Sequence, residues 1–497
     1  MKQFRDILFI MLAAGVTTLT SCNKFQDYQT NPNQPTQADP SLELTNIEQS
    51  AFATISTEAA LASRYLIYTE SSDLSQYYGW TRSEFTPYSN ISQVVKMQQE
   101  AIRTKQLNYY YIGKFLTDYY IVQLTQTFGD VPFSKAEQAM TGDISAAALM
   151  PAYDTQESIY LQVLKDLETA NDSLSSSGAI NGDIIYSGNV TQWKKAINVF
   201  ALRVLMSLSL KTGDAQLQVQ QHFSNIVSNP DKYPLFISND DNAQLKYYNL
   251  NGNYYPYYND NSVKTDYYMD SSFVTLLKSF QDPRLFTFGK PTTASGLPGG
   301  DFNAYTGLSG AAALSDNVTA VSNGLASPIN NRFAYDPINE PSVAIGYAEQ
   351  EFTLAEAVIR GWIGGTASTY YMNGVHAALD FSNYQDTSYT QTQIQNYLMQ
   401  PAIQLQPGNE LQQILTQKYI SMFMNTGWEP FYNQRRTGIP VFETNGGGIL
   451  NNGVIPKRWM YPTSEYNNNS ANVDASVKSQ YPGGDNINGV MWILQPQ

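Results

Sequence analysis

Between Ile91 and Phe128 apolar side chains return at every fourth position, at Leu107, Tyr111, Phe115 and Tyr119, until Gly129 and Pro132 forbid continuation. This spacing constrains the chain more than any other feature, because an apolar stripe of helical period is hidden from water only by laying it against other helices. The same period appears over residues 155–174, 191–211, 215–227, 270–280, 348–363, 368–379, 390–399 and 409–424. It is also compatible with residues 42–73, through Leu44, Ile47, Ala51 and Ile55. In the second of these segments Ile197, Phe200, Ala201, Val204, Leu205 and Leu208 share one face. The expected fold is mostly α. Small residues at Ala348, Ala355 and Ala357 suit closely stacked helix-turn-helix pairs, although no strict 34-residue repeat is visible.

Two regions break the pattern. Residues 229–341 are rich in Asn, Asp, Gly, Pro and Tyr, with one helix-like piece, and read as a loop-rich insertion mounted on the helices; long loops in compact domains usually carry function. At the amino end, Lys2 and Arg5 precede an apolar run from Ile7 to Val16 and then Leu19-Thr20-Ser21-Cys22, the three-part pattern of a secretory leader. The run is shorter than the ~20 residues that span a bilayer. Residues 1–21 are therefore expected to leave as a signal peptide. Cys22, resembling a bacterial lipobox cysteine, is expected to carry the lipid, and residues 22–40 to tether a body comprising 41–497.

Cys22 is the only cysteine, so this chain has no internal disulfide and no thiolate zinc site. The net charge is −14, or −15 once the leader's Lys2, Arg5 and Asp6 are gone, and phosphate recognition needs the opposite balance. Nucleic acid is thus excluded as a partner class. Charged residues make up only 14% of the chain while tyrosine reaches 36 copies, a surface chemistry suited to sugar rings or peptide backbones. Two aromatic runs offer candidate ligand contacts: Tyr77, Tyr78 and Trp80 after the first helix, and Tyr254, Tyr255, Tyr257 and Tyr258 in the insertion.

Signals for catalysis are few. His222 and His376 sit in helix-like segments without an adjacent nucleophile, and no hydrolase elbow, zincin motif or phosphate loop is present. A glycoside hydrolase needs only two carboxylates, and Glu349, Glu351, Glu356 and Glu429 stay open as a pair. Asn239 to Asn242 and Asn259 to Asn261 concentrate calcium-type oxygens without EF-hand spacing and read as solvated loops. No cofactor or metal is called for.

Three segments carry a family likeness: Gln126 to Phe133; Ile414 to Pro440, with Gln417-Lys418-Tyr419-Ile420 and the stretch Trp428 to Gly438; and Arg458 to Asn467. Residues 349–380, with Ala355-Glu356-Ala357 and Tyr370-Tyr371, add a fourth. In order and spacing they resemble the SusD/RagB family of outer-membrane lipoproteins. The resemblance implies tetratricopeptide-like helix pairs as scaffold with a loop-rich variable region, helices returning over 342–440, and no enzymatic activity. It further implies a cell-surface, lipid-anchored protein that binds a nutrient and delivers it to a SusC-like TonB-dependent barrel. An oligosaccharide is the first candidate ligand; a peptide, a surface enzyme and a purely adhesive role are alternatives. Within these segments, Trp428 and Arg436 read first as a lock on a chain reversal, and Phe128 to Pro132 as a helix terminator with Gly129 in a left-handed cap.

Overall fold

The computed structural model describes residues 38–383 and 389–497; the leader, Cys22 and most of the tether lie outside the described residues. Helices of at least eight residues are numbered here. Of these, α1 (Pro40–Phe52), α2 (Pro87–Thr104), α3 (Leu107–Phe128), α4 (Gln156–Ser173), α5 (Val190–Ser207) and α6 (Val219–Ser228) precede the insertion. Within it lie α7 (Ser271–Ser279) and α8 (Leu314–Ser322). There follow α9 (Tyr347–Ile359), α10 (Ala367–Ser382), α11 (Gln391–Leu398), α12 (Glu410–Ser421), α13 (Glu429–Thr437) and α14 (Ser470–Gln480).

Side chains explain most boundaries. The Thr155 hydroxyl accepts from Ser158 N–H to start α4, and the Asn189 side chain accepts from two backbone N–H groups to start α5. The single helix expected over 91–128 is two, because Lys105 turns left-handed at φ 60° and its N–H closes on Ala101 and Ile102. Residues 42–73 are likewise not one helix. α1 ends at Phe52, a six-residue helix spans Thr57–Ala62, and the chain then enters a strand. Gly129 ends α3 at φ 99°, ψ −131°, which is not the left-handed cap expected but a conformation still reserved for glycine. A Cβ there would stand 2.2 Å from the Tyr481 hydroxyl.

Neighbouring helices pack in pairs: α2 with α3, α4 with α5, α5 with α6, and α9 with α10. Their shared core gathers Phe52, Phe115, Tyr119, Trp193 and Phe200, with ring centroids 5.5 to 6.3 Å apart.

The insertion is tied to this scaffold by two antiparallel strand pairs. β1 (Leu66–Tyr68) pairs with β3 (Tyr267–Met269), and β2 (Ala243–Leu245) pairs with β4 (Ser342–Ile345). It also shares an aromatic core with the flanking chain, in which Phe423 stacks on Phe273 at 5.5 Å and on Phe288 at 4.2 Å, while Tyr65 stacks on Tyr419 at 4.5 Å. After Met424 the chain forms α13 and α14.

Candidate functional site

The three family-like segments meet at the carboxyl end of α3. Arg435 donates to the backbone and side-chain oxygens of Gln126 at 2.8 and 2.7 Å. Trp459 N–H donates to Thr127 O at 3.0 Å, and the Tyr461 hydroxyl to Asp130 O at 2.6 Å. Arg458, fully buried, pairs with Asp485 at 2.6 Å, donates to Phe128 O and sits against the rings of Tyr461 and Tyr481. Segments remote in sequence thus lock one junction, and beside it opens a cleft of about 410 Å³. That volume lies in the range of small-molecule sites.

Four elements build the cleft. α3 contributes Tyr119, Tyr120, Gln123 and Thr127; the end of α1 and the following turn contribute Ser50, Ala51 and Ala53 to Ser56; the approach to α2 brings Glu84 and its first turn Asn90; and the start of α13 brings Trp428, Glu429 and Tyr432. Phe200, Arg203 and Trp459 complete the lining.

Trp459 lies flat on Trp80, centroids 3.8 Å apart and planes within 9°. Trp428 meets both rings nearly at right angles, 5.7 Å from Trp80 and 4.8 Å from Trp459. A ring capping the outer face of Trp459 would stand much further from Trp80. Trp428 therefore abuts the edges of the stack and does not cap that face of Trp459, whose half-buried ring packs against both cores and lines the cleft.

The charges around the cleft are mostly committed. Arg203 gives its Nε to Glu349 at 2.7 Å and a terminal nitrogen to Ala344 O at 2.6 Å, and makes a second short contact to Glu349. Glu356 takes Arg436 through both oxygens, at 2.6 and 2.9 Å, and Arg360 at 2.8 Å. Burial opposes its ionisation, but Arg436, then Arg360 and Lys418, outweigh burial and hold the Glu356 carboxyl at about 2. Glu351 is occupied by Asn373 and Gln350. Of the four glutamates considered as a hydrolytic pair, only Glu429 lines the cleft. Among the described residues neither its carboxylate nor the Asn90 side chain has a protein hydrogen-bond partner. Burial raises the Glu429 pKa above 4.5 against the attraction of Arg203, and the negative charge of Glu349 adds to the rise.

The sequence-predicted contacts divide unevenly. Tyr77, Tyr78, Trp80 and Tyr255, expected to present ring faces, are buried at 2%, 0%, 5% and 1% exposure. Trp80 is the backing of Trp459. Tyr78 donates to Ala62 O at 2.9 Å under the Arg64 guanidinium, and Tyr255 packs edge-on to Tyr247 within the insertion. Tyr254, Tyr257 and Tyr258 are half-buried. Tyr254 and Tyr258 form a pair at 5.0 Å, while the Tyr257 hydroxyl accepts from Thr57 N–H at 2.9 Å, one residue from the cleft's Ser56. Trp428 and Trp459 are absent from the sequence-based candidates. Arg436 locks the fold as expected, yet its neighbour Trp428 also faces the cleft.

Several oxygens of the two calcium-like loops are already engaged within the fold. Asp241 is spent on Lys195 and Ile237 N–H, Asn242 on Tyr347 N–H, and Asp260 caps a short helix. Among the described residues no group of three His, Cys, Asp or Glu is placed to hold a metal. No described helix is long and apolar enough to cross a membrane.

A family model described as "Starch-binding associating with outer membrane" matches residues 32–462. A SusD homologue from Bacteroides fragilis is 39% identical, superposes with a TM-score of 0.85, and is matched over 93% of this chain and all of its own. A Bacteroides vulgatus outer-membrane protein, to which nutrient binding is provisionally ascribed, is 37% identical with the same TM-score, over 92% of this chain and all of its own. A chitin-binding protein at 23% identity and TM-score 0.74 shares the fold. No curated protein matches. With the family model spanning most of the sequence, and its motif segments folded onto one junction, the chain belongs to the SusD-like family of outer-membrane-associating, starch-binding proteins.

Proposed function

We propose that the protein captures an oligosaccharide at the Trp428–Trp459 cleft on the cell surface and delivers it to a SusC-like TonB-dependent barrel. The half-buried Trp459 ring on the cleft lining carries this reading. It stands beside an uncommitted amide and an uncommitted carboxylate, an arrangement that suits the C–H face and hydroxyls of a sugar ring. Tyr257 ties the insertion to the cleft rim, and the half-buried Tyr254–Tyr258 pair gives a ligand longer than the cleft a further aromatic contact. Family membership supports the outer-membrane setting and the binding role. Lipid on Cys22 would hold the body there, since two or more acyl chains anchor stably where one does not.

The test is a titration of the protein with neutral oligosaccharides, followed by tryptophan emission and repeated with Trp459→Ala. Saturable quenching that the variant loses is expected. Equal binding by the variant would remove the cleft from the account, and release of reducing ends from a bound sugar would replace binding by hydrolysis. Palmitate labelling that survives Cys22→Ala, or a barrel-free purification from native membranes, would count against anchor and partner.

A further inference from the structure

Resting on that reading, we propose that Glu429 is the specificity-determining residue of the cleft. It selects neutral, hydroxyl-bearing sugars against both anionic and cationic ones. Glu429 opens the first turn of α13 directly after Trp428, so its carboxylate is fixed next to the aromatic wall. An ionised carboxylate only accepts hydrogen bonds, and its two oxygens suit two neighbouring ring hydroxyls, which are donors.

An anionic sugar would bring a like charge to the half-buried Glu429, with a second, exposed carboxylate, Glu84, on the same lining. Arg203 is the one arginine of that lining, and it is already committed to Glu349 and Ala344 O, so it has little left for an anion. A cationic sugar gains little either. The attraction of Glu429 is already shared by Arg203 from α5, Lys418 from α12 and Arg435 from α13, with Glu349 of α9 as the opposing charge. What the carboxylate has to offer is hydrogen-bond acceptance. That is the requirement of an uncharged sugar stacked on Trp459.

The experiment titrates the full-length protein in detergent with the hexamers of maltose-, cellulose-, xylan- and mannan-type chains, with hexagalacturonate and with a fully deacetylated chitosan hexamer, reading tryptophan emission. At least one neutral hexamer should bind ten or more times more tightly than either charged one. Glu429→Gln should weaken that neutral hexamer about tenfold while narrowing the margin over hexagalacturonate. The wild-type comparison alone can overturn the proposal, whatever the variant's folding: a charged hexamer matching the best neutral one ends it. Unchanged neutral affinity in Glu429→Gln, with binding lost in Trp459→Ala, removes the role of Glu429 and leaves the glycan-capture reading intact. Failure of all the hexamers removes both.

Discussion

The tryptophan cluster around Trp80 and the tyrosine cluster from Tyr247 to Tyr258 look alike in sequence, each a short concentration of rings, yet they end in different states. In the tyrosine cluster, Tyr247 and Tyr255 turn inward at 5.5 Å, while Tyr254 and Tyr258 remain half-buried at the surface. In the tryptophan cluster, the local residue Trp80 is covered by Trp459 and flanked by Trp428, both supplied from distant segments. The covering rings, not the covered one, line the cleft. A run of aromatics thus nucleates a small core, and the binding face belongs to whatever remote residue seals it.

The most severe way to break this contrast is Trp80→Ala. Removing a large, 5%-exposed ring from between Trp459 and Phe431 should cost about 3–5 kcal/mol of stability, visible in denaturant unfolding. Binding should fall with it, because Trp459 loses its support. Trp459→Phe should separate the two effects. The stack on Trp80 is retained in part, stability falls less, and affinity for a neutral oligosaccharide drops several-fold. Equal stability losses for the two variants would mean that Trp459 is core in the same sense as Trp80.

Glu429 sharpens the contrast through pH. Its pKa in the fold is raised above 4.5, so the folded state holds the proton more tightly than the unfolded chain does. The stabilisation this group contributes is full below 4.5 and is lost as pH climbs through the raised value. Glu429→Gln, which resembles the protonated form, should therefore melt higher than wild type at pH 7 and equally below pH 4.5. Sugar binding should run the other way, weakening in the variant and in wild type under acid. A residue that costs stability and supports binding is the expected signature of a site. A variant that melts lower at pH 7 would instead make Glu429 a structural counter-charge for Arg203 and Lys418.

How far the sequence discloses this depends on where each signal is stored. Helical period is local, so α4, α5, α7 and α9 to α12 fall close to their expected spans. The break between α2 and α3 is hidden because it is made by Lys105, a residue that enters the left-handed region without the glycine that normally announces it. α13 has its start and stop written in Pro430 and Gly438, but its positions are filled by charged and polar residues such as Glu429, Gln434, Arg435 and Arg436, so it shows no apolar stripe. The cleft is the least legible feature. Trp428 and Trp459 become neighbours only when the segments around them close on the end of α3, and no spacing in the chain records that. The committed state of Glu349, Glu351 and Glu356, which leaves Glu429 as the one of these four on the cleft lining, is likewise a fact of tertiary pairing.

The smallest expected effects lie in the tyrosine cluster. Double replacement Tyr254→Ala with Tyr258→Ala removes a half-buried pair and should cost about 1 kcal/mol or less, with loss of affinity confined to oligosaccharides longer than the cleft. Tyr255→Phe should cost still less. The ring keeps its packing against Tyr247 and Phe333, and the hydroxyl it loses is buried with no hydrogen-bond partner among the described residues, so its desolvation is relieved rather than a bond broken. Thermal unfolding of Tyr255→Phe should match or slightly exceed wild type. A clear drop would show that the hydroxyl is bonded in solution, and that the two aromatic clusters differ less in their internal satisfaction than their packing implies.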